Sequence, residues 1–265
     1  MSAIDSVKNY FQQVMAPKIQ EFTSLDELIV VVGGSVSYGF ADELSDVDAY
    51  IIWDIPRNVW FDKLRQFLFM HQMIDGYRVQ FIPLMLQSPQ YSSFSYLFHE
   101  EFDKLKDCDF ELLYDIQHFI PIHDPKGIIS KGKAFVNDLG SKYWQEKCLE
   151  HCEKLIDTLE AFYSSLKRKN IITGSMYFGD ALKGLLQTVY LSAGFPYPTA
   201  KWIWNGLERV DAKMFESIRT YFENGFPCSS EELRNCIHSV TEVVTDRLKE
   251  KGFVPPYIIN DLLCP

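Results

Sequence analysis

A short apolar run, Leu28 to Val32, passes directly into Gly33-Gly34-Ser35. The run is continuous and rich in β-branched residues, which predicts a strand that is buried on both faces. Glycine permits a tight turn and lets the backbone approach a ligand closely. Val36 to Phe40 follows as the start of a helix, whose free backbone N–H groups favour a phosphate. The strand, glycine turn and helix together predict an α/β domain that holds an anion at the turn.

A second strand is predicted over Val47 to Trp53, with Ser45 and Asp46 immediately before it and Asp48 near its start. Residues i and i+2 of a strand point to the same side, so Asp46 and Asp48 are expected to project together. Two carboxylates placed in this way repel each other unless a cation lies between them. Mg²⁺ prefers oxygen ligands and is often completed by substrate phosphates. A phosphate-binding turn beside this carboxylate pair predicts phosphoryl or nucleotidyl transfer.

Over about residues 25–125 the chain resembles the polymerase-beta-like nucleotidyltransferase superfamily, through Gly34, Ser35, Gly39, Ser45, Asp46 and Asp48. Members of this superfamily transfer a nucleoside monophosphate from a nucleoside triphosphate to a hydroxyl and release pyrophosphate. The resemblance implies that the triphosphate, expected to be ATP, is bound by Gly33, Gly34, Ser35 and Ser45. It also implies that Asp46 and Asp48 hold Mg²⁺ and are catalytic.

Superfamily members usually carry a third carboxylate on a later strand, here predicted over Tyr77 to Leu84, and Gln80 takes that position. A glutamine oxygen can still bind a metal, but it brings no negative charge and cannot act as a base. Three alternatives remain open: the protein uses one metal, a carboxylate elsewhere compensates, or the protein binds nucleotide without transferring it. The compensating candidates are Asp54, Asp75 and Glu160. Arg78, on the same strand face as Gln80, is expected to meet a phosphate or to pair with Asp46 or Asp48.

Helical spacing predicts a helix over residues 1–22 with a kink at Pro17, one over Pro56 to Met73 and one over Phe102 to Asp115. Ile116 to Ile122 is expected to be a short strand, and the Asp75-Gly76 turn is expected to join a helix to a strand. From residue 128 the pattern is helical. We therefore predict an α/β (α+β) fold, with a mixed-sheet nucleotidyltransferase-like domain over residues 1–127 and a helical domain over residues 128–265 that closes the cleft.

In length and layout the helical part resembles the kanamycin and lincosamide nucleotidyltransferases, which implies a small-molecule acceptor. In a helix predicted over Trp144 to Lys169, Glu160 is a candidate base for the acceptor hydroxyl, although an exposed helix acid is the plainer interpretation. Lys201, close to Trp202 and Trp204, is a candidate contact to the triphosphate. The alternative for this aromatic segment is an anchor in the core.

The charge of the chain limits the classes of partner it can bind. It has 26 Lys and Arg residues and 36 Asp and Glu residues, which gives a net charge of -10. Such a surface disfavours a nucleic-acid acceptor and suits a cationic one. No apolar run reaches the roughly 18 residues of a membrane helix, and the N-terminus has no signal-peptide pattern, which predicts a cytoplasmic protein. Cys148, His151 and Cys152 share a helix face but lack a fourth ligand, so buried thiols are expected. A monomer and a dimer both fit the sequence, as do a protein acceptor and an interaction module without catalysis.

Overall fold

The computed structural model describes residues 2–21, 23–54, 71–86, 92–223 and 225–265. Contacts within the chain divide it into two compact units, Met1–Asp138 and Leu139–Pro265. Unit 1 contains a five-stranded mixed sheet with helices, and unit 2 is helical. The predicted fold class, a mixed α/β part followed by a C-terminal helical part, is confirmed.

The sheet of unit 1 is formed by β1 (Leu28–Gly33), β2 (Val47–Trp53), β3 (His71–Ile74), β4 (Tyr77–Met85) and β5 (Ile120–His123). Its strand order is β3-β4-β2-β1-β5. β1 runs antiparallel to both β2 and β5, while β4 runs parallel to β2 and antiparallel to β3. Every residue of β1 is buried, as its continuous apolar run predicted. β2 begins and ends where the sequence placed it.

The helices of unit 1 are α1 (Ala3–Tyr10), α2 (Ala16–Gln20), α3 (Gly34–Tyr38), α4 (Ser92–Phe98), α5 (Phe110–His118) and α6 (Ile128–Asn137). A π-helical turn, Phe11–Met15, joins α1 to α2, and Pro17 lies in the first turn of α2. This N-terminal segment covers one face of the sheet, where Val7, Phe11 and Ile19 belong to the same buried core as Val30 and Val79. The opposite face carries buried apolar residues as well, among them Ile29, Val31 and Ile52.

The division between the units leaves α6 in unit 1, whereas the sequence placed residues 128 onward in the helical domain. A Cβ atom at Gly132 of α6 would lie 2.7 Å from Leu97 Cδ1 of α4 and 3.3 Å from Ile116 Cγ2 of α5. α6 is therefore packed closely against unit 1 helices. Its amphipathic pattern alone does not reveal which core its apolar face joins.

Four predicted features of unit 1 differ from the structure: two helices, one strand and the turn at Asp75-Gly76, which joins two strands. The helix expected over Phe102 to Asp115 is a 3₁₀ segment, Phe102–Asp107, followed by α5, so the strand expected from Ile116 begins only at Ile120. The helix expected over Pro56 to Met73 is also wrong at its end, because His71 to Met73 belong to β3, while residues 55–70 lie outside the described residues. Asp75 and Gly76 have φ angles of +51° and +89°. This pair is the two-residue turn of a β-hairpin, which needs positive φ at both positions.

Unit 2 contains α7 (Ser141–Lys167), α8 (Ile171–Ala193), α9 (Ile203–Val210), α10 (Ala212–Arg219), α11 (Ser230–Lys251) and α12 (Pro256–Leu263). The long helices begin and end at residues that satisfy free backbone groups. Asn170 accepts a hydrogen bond from the Thr173 N–H, and Gly252 ends α11 in the left-handed conformation. Unit 2 has its own buried side chains, which include Cys148, Leu155, Phe162, Phe178, Leu185, Leu207, Ile237 and Leu248. Across the described ranges, no helix combines the length and apolar character that crossing a bilayer requires.

Candidate functional site

The turn between β1 and α3 lies directly against the side chains of β2. Gly34 has a φ of +61°, and a Cβ atom there would lie 2.5 Å from Asp48 Oδ2. At Gly33 a Cβ atom would lie 2.4 Å from Tyr50 Cε2. Real Cβ atoms do not approach other atoms so closely, and a positive φ also disfavours any side chain. Gly34 therefore lets the turn reach the Asp48 carboxylate, while Gly33 leaves room for the Tyr50 ring.

Short hydrogen-bonded segments on either side shape this turn. Ser35 is buried at the start of α3, and the Ser37 hydroxyl donates to the Gly34 carbonyl oxygen at 3.0 Å. Gly39 ends the helix with a φ of +72°. In the following loop, the Ser45 hydroxyl donates to Asp42 Oδ1 at 2.7 Å, and the Asp42 N–H donates to Ser45 Oγ at 3.0 Å. Ser45 thus closes the turn that leads into Asp46, which is the structural alternative to a direct contact with nucleotide.

Four strands bring the candidate residues into one row across the sheet. The register pairs Gly33 with Asp48, Asp48 with Gln80, and Gln80 with His71. Paired residues on neighbouring strands share a face, so Asp48, Gln80 and His71 project to the same side. The structure therefore brings together Gly33, Gly34, Asp46, Asp48 and Gln80 where β1 ends and β2 begins.

Asp46 is held by two basic side chains of the β3–β4 hairpin. Its Oδ1 lies 3.1 Å from Arg78 Nε, and its Oδ2 lies 3.1 Å from His71 Nε2. Arg78 thus pairs with Asp46, one of the two alternatives that the sequence left open. The Arg78 side chain is 56% exposed and that of His71 37% exposed. An ion pair as exposed as that of Arg78 contributes about 0–1 kcal/mol, so a competing cation could displace it at little cost.

The row has fewer acidic oxygen donors than a metal site built from three carboxylates. Within the described parts of the chain, no group of three or more His, Cys, Asp or Glu side chains is placed to hold a metal ion. Asp54 pairs with His99 at 3.7 Å beyond the far end of β2, and Asp75 lies in the hairpin turn. The available donors are the carboxylates of Asp46 and Asp48 and the amide oxygen of Gln80.

A buried hydrogen bond behind the turn joins α3 to α5. The Tyr38 hydroxyl donates to Asp115 Oδ1, and the Tyr38 ring packs edge-on against Tyr114 and His118, with ring centroids 5.0 Å and 5.5 Å away. Tyr38 is the last residue of α3, so this contact fixes the helix that begins at the glycine turn. The sequence alone does not point to Asp115, because the contact spans 77 positions and no local pattern marks it.

The carboxyl group of Asp115 differs from an ordinary aspartate. Burial above all, together with the negative charges of Glu111 and Asp48, raises its pKa to about 7, while the hydrogen bond from Tyr38 acts in the opposite direction. For the same reason, burial and the Asp115 charge raise the pKa of the Tyr38 hydroxyl, which remains a donor. The pKa of Asp115 therefore depends on the charge of Asp48.

The remaining predicted residues lie in unit 2. Glu160 is exposed on α7, and Lys201 is exposed before α9 with its Nζ 4.6 Å from the centroid of the Trp202 ring. Their roles in catalysis and in triphosphate binding stay predictions. The thiols of Cys148 and Cys152 are buried. His151 between them has its Nε2 atom 3.0 Å from the Gly184 carbonyl oxygen, which ties α7 to α8.

Comparisons with known proteins add a distant likeness. No protein-family model matches the chain, and no curated protein matches it. Among solved structures, the chain is similar to a nucleotidyltransferase-like protein from Exiguobacterium sibiricum 255-15, with 12% identity and a TM-score of 0.44. The match covers 93% of this chain and 77% of that chain. A likeness this weak supports no argument about activity, so the functional case rests on the geometry of the site.

Proposed function

We propose that the chain is a Mg²⁺-dependent nucleotidyltransferase that moves AMP from ATP to a hydroxyl of a small molecule. One observation carries the proposal: Gly34, at a φ of +61°, places the β1–α3 turn where a Cβ atom would touch the Asp48 carboxylate. A turn that binds phosphate and a carboxylate that binds the phosphate's metal must lie this close together. At Gly34 the positive φ and the Asp48 oxygen both exclude a side chain.

The donor set at the row fits one Mg²⁺ ion. Asp46 and Asp48 supply two carboxylates, and Gln80, paired in register with Asp48, supplies a neutral oxygen. Mg²⁺ is commonly held by one or two carboxylates, with water and substrate phosphates completing the shell. Bound there, the ion would neutralise phosphate charge and orient the reacting oxygens.

The chain's own groups would do the positioning. The backbone N–H groups at the start of α3 and the Ser35 hydroxyl would bind the triphosphate, and Arg78 would turn from Asp46 to a phosphate once a cation replaces it. Glu160 and Lys201 are the candidates in unit 2 for the acceptor's base and for a second phosphate contact. The acidic chain suits a cationic hydroxylated acceptor, of which aminoglycoside- and lincosamide-like antibiotics are examples. A cytoplasmic location belongs to the same proposal.

Nucleotide binding without transfer is the second candidate. It is favoured by Gln80 in the place of a third carboxylate and by the pairing of Asp46 with both Arg78 and His71. This candidate predicts that ATP binds with little turnover and that Gln80→Glu gains activity.

Thermal unfolding with ATP, with and without Mg²⁺, tests the site. Ligand at 100 times its dissociation constant stabilises a protein by about 2.7 kcal/mol, which is readily measured. We expect a Mg²⁺-dependent shift in the wild type that Asp48→Asn abolishes. Asp54→Asn, which removes an exposed carboxylate at the other end of β2, serves as the control and should keep the shift. No shift with any nucleoside triphosphate would remove the basis of both candidates.

A pyrophosphate-release screen over hydroxylated acceptors then separates transfer from binding alone. Release that requires an acceptor, and that is lost in Asp48→Asn, supports transfer. Binding with no release for any acceptor, followed by release in Gln80→Glu, supports the non-catalytic candidate.

A further inference from the structure

We infer that unit 2 carries a separate binding site for an apolar, ring-bearing organic cation. The site is a cavity of about 490 Å³ whose apolar walls are Leu182, Leu186, Trp204, Phe222 and Phe226. Protein cavities that bind small molecules usually have volumes of about 300–1,000 Å³ and mostly apolar walls with a few polar groups. The cavity lies wholly within unit 2, and the inference does not depend on nucleotidyl transfer.

Aromatic rings held in place by their neighbours give the cavity its shape. Trp204 packs against Phe215 with centroids 4.9 Å apart and edge-on against Phe222 at 6.1 Å. Phe226 packs edge-on against Phe178 at 5.2 Å, yet 64% of its surface is exposed. A flat ligand ring would cover this exposed apolar surface and find pre-formed aromatic partners.

The charged groups at the mouth favour a cation. Of the described residues that line the cavity, Arg219 is the only cationic one and Glu223 the only anionic one, so the excess of negative charge comes from Glu216 beside Arg219. Its Nε and Nη2 already donate to Glu216 Oε2 at 3.0 Å and 2.7 Å, and its Nη2 lies 4.0 Å from Glu223 Oε1. Two carboxylates, Glu216 and Glu223, thus lie against one guanidinium, and they and Glu208 raise the pKa of Arg219. Glu208 lies one turn after Trp204 on α9.

Binding of an ammonium group at this mouth is therefore favoured, and binding of a carboxylate is disfavoured. The ammonium would meet carboxylates in excess of guanidinium charge, and it could lie over the face of Trp204 or Phe222, since aromatic faces attract cations within about 6 Å. A ligand carboxylate would have to compete with Glu216 for donors that are already used. The ligand class follows from both parts of the site: an aromatic ring for the walls and a positive charge for the mouth.

Two probes with the same ring and opposite charge test the inference. Binding of 2-naphthylmethylammonium and of 2-naphthoate to the full chain is measured by NMR titration. We expect the ammonium to bind at least about fivefold more tightly than the carboxylate. Leu182→Trp, which fills the cavity, should weaken ammonium binding at least tenfold. Glu223→Gln should weaken it about two- to fivefold, in line with the strength of exposed ion pairs.

Glu146→Gln is the matched control, because it removes an exposed carboxylate of unit 2 that pairs with Lys142 on α7 and does not line the cavity. It should leave both affinities unchanged. Equal or tighter binding of the naphthoate, no binding of either probe, or the same effect from Glu146→Gln as from Glu223→Gln would each overturn the inference. If Leu182→Trp fails to fold by circular dichroism, the comparison of the two glutamine variants still decides, since both glutamates are exposed.

Discussion

At the scale of single residues, Gly34 is under two separate constraints. Its positive φ disfavours any side chain, and the space that a Cβ atom would take is already filled by Asp48 Oδ2. Gly127 meets only the first constraint, with a φ of +65° and nothing within 4 Å of a Cβ atom. Substitutions at Gly34 and Gly127 therefore distinguish the cost of backbone strain from the cost of a contact with Asp48.

We predict that Gly34→Ala lowers the free energy of unfolding by at least about 2 kcal/mol, whereas Gly127→Ala lowers it by about 1–2 kcal/mol, the cost of a left-handed conformation. Gly34→Ala should also abolish the Mg²⁺-dependent stabilisation by ATP, because Asp48 must move. Urea unfolding with and without Mg²⁺ and ATP measures both effects. Equal losses in the two variants, with ligand stabilisation intact, would show that the Asp48 contact is unimportant.

Asp115 makes the stability of unit 1 depend on pH. Its folded pKa of about 7 lies above the ordinary 3.8, so between these values the folded chain holds a proton that the unfolded chain releases. The stabilising contribution of the protonated form is complete below about pH 4 and is lost as the pH rises through 7. Asp115→Asn keeps an acceptor for Tyr38 but removes this titration.

We therefore predict that Asp115→Asn flattens the decline in stability between pH 4 and 7 and is more stable than the wild type above pH 7, by up to about 4 kcal/mol. Chemical unfolding across that pH range measures the difference. Asp103→Asn is the control, because the Asp103 side chain is 91% exposed and should leave the profile unchanged. A wild-type profile that does not fall over this range would contradict the prediction.

At the scale of elements, the sequence predicted the strands whose signals lie within the strand itself. The continuous apolar run of β1 and the exact bounds of β2 follow from composition and turn signals. β3 was missed because its four residues continue a helical pattern, and only pairing with β4 makes them a strand. His71 was missed with it, since no spacing in the chain relates it to Asp46. The Asp46 and Asp48 pair was predictable because one strand carries both.

The β3–β4 hairpin depends on its two-residue turn. Gly76 has a φ of +89°, and a Cβ atom there would contact nothing within 4 Å. We predict that Gly76→Ala lowers the free energy of unfolding by about 1 kcal/mol through backbone strain alone. Asp75→Asn should be close to neutral, because asparagine also suits the first position of such a turn. Urea unfolding of both variants tests this, and a larger loss in Asp75→Asn would contradict it.

At the scale of the whole molecule, each unit has a core of its own. The sequence predicted the change from mixed to helical structure but placed it at residue 127, because the helical pattern begins there. The structure keeps α6 in unit 1, since Gly132 allows it to approach Leu97 and Ile116. Which core an amphipathic helix joins depends on contacts distant in sequence, and those leave no local signal.

Two self-contained cores predict that unit 2 stays folded after separation. Gly140 lies just before α7, and a Cβ atom there would contact nothing within 4 Å, so a protease site inserted at this position should be accessible. We expect the fragment that begins near residue 141 to keep its helical circular dichroism signal and to melt cooperatively. Loss of that signal on cleavage would show that unit 2 depends on unit 1 for its fold.

β2 is bonded along its length to β1 on one side and to β4 on the other. Its amide protons are therefore expected to exchange with deuterated solvent only when unit 1 opens cooperatively, while those of the exposed residues 41–44 exchange from the folded state. Asp48 belongs to the slowly exchanging strand, and Asp46 stands just outside it, at the end of the exposed loop. We therefore expect the backbone at Asp46 to open more readily than the backbone at Asp48, which carries the second carboxylate of the pair.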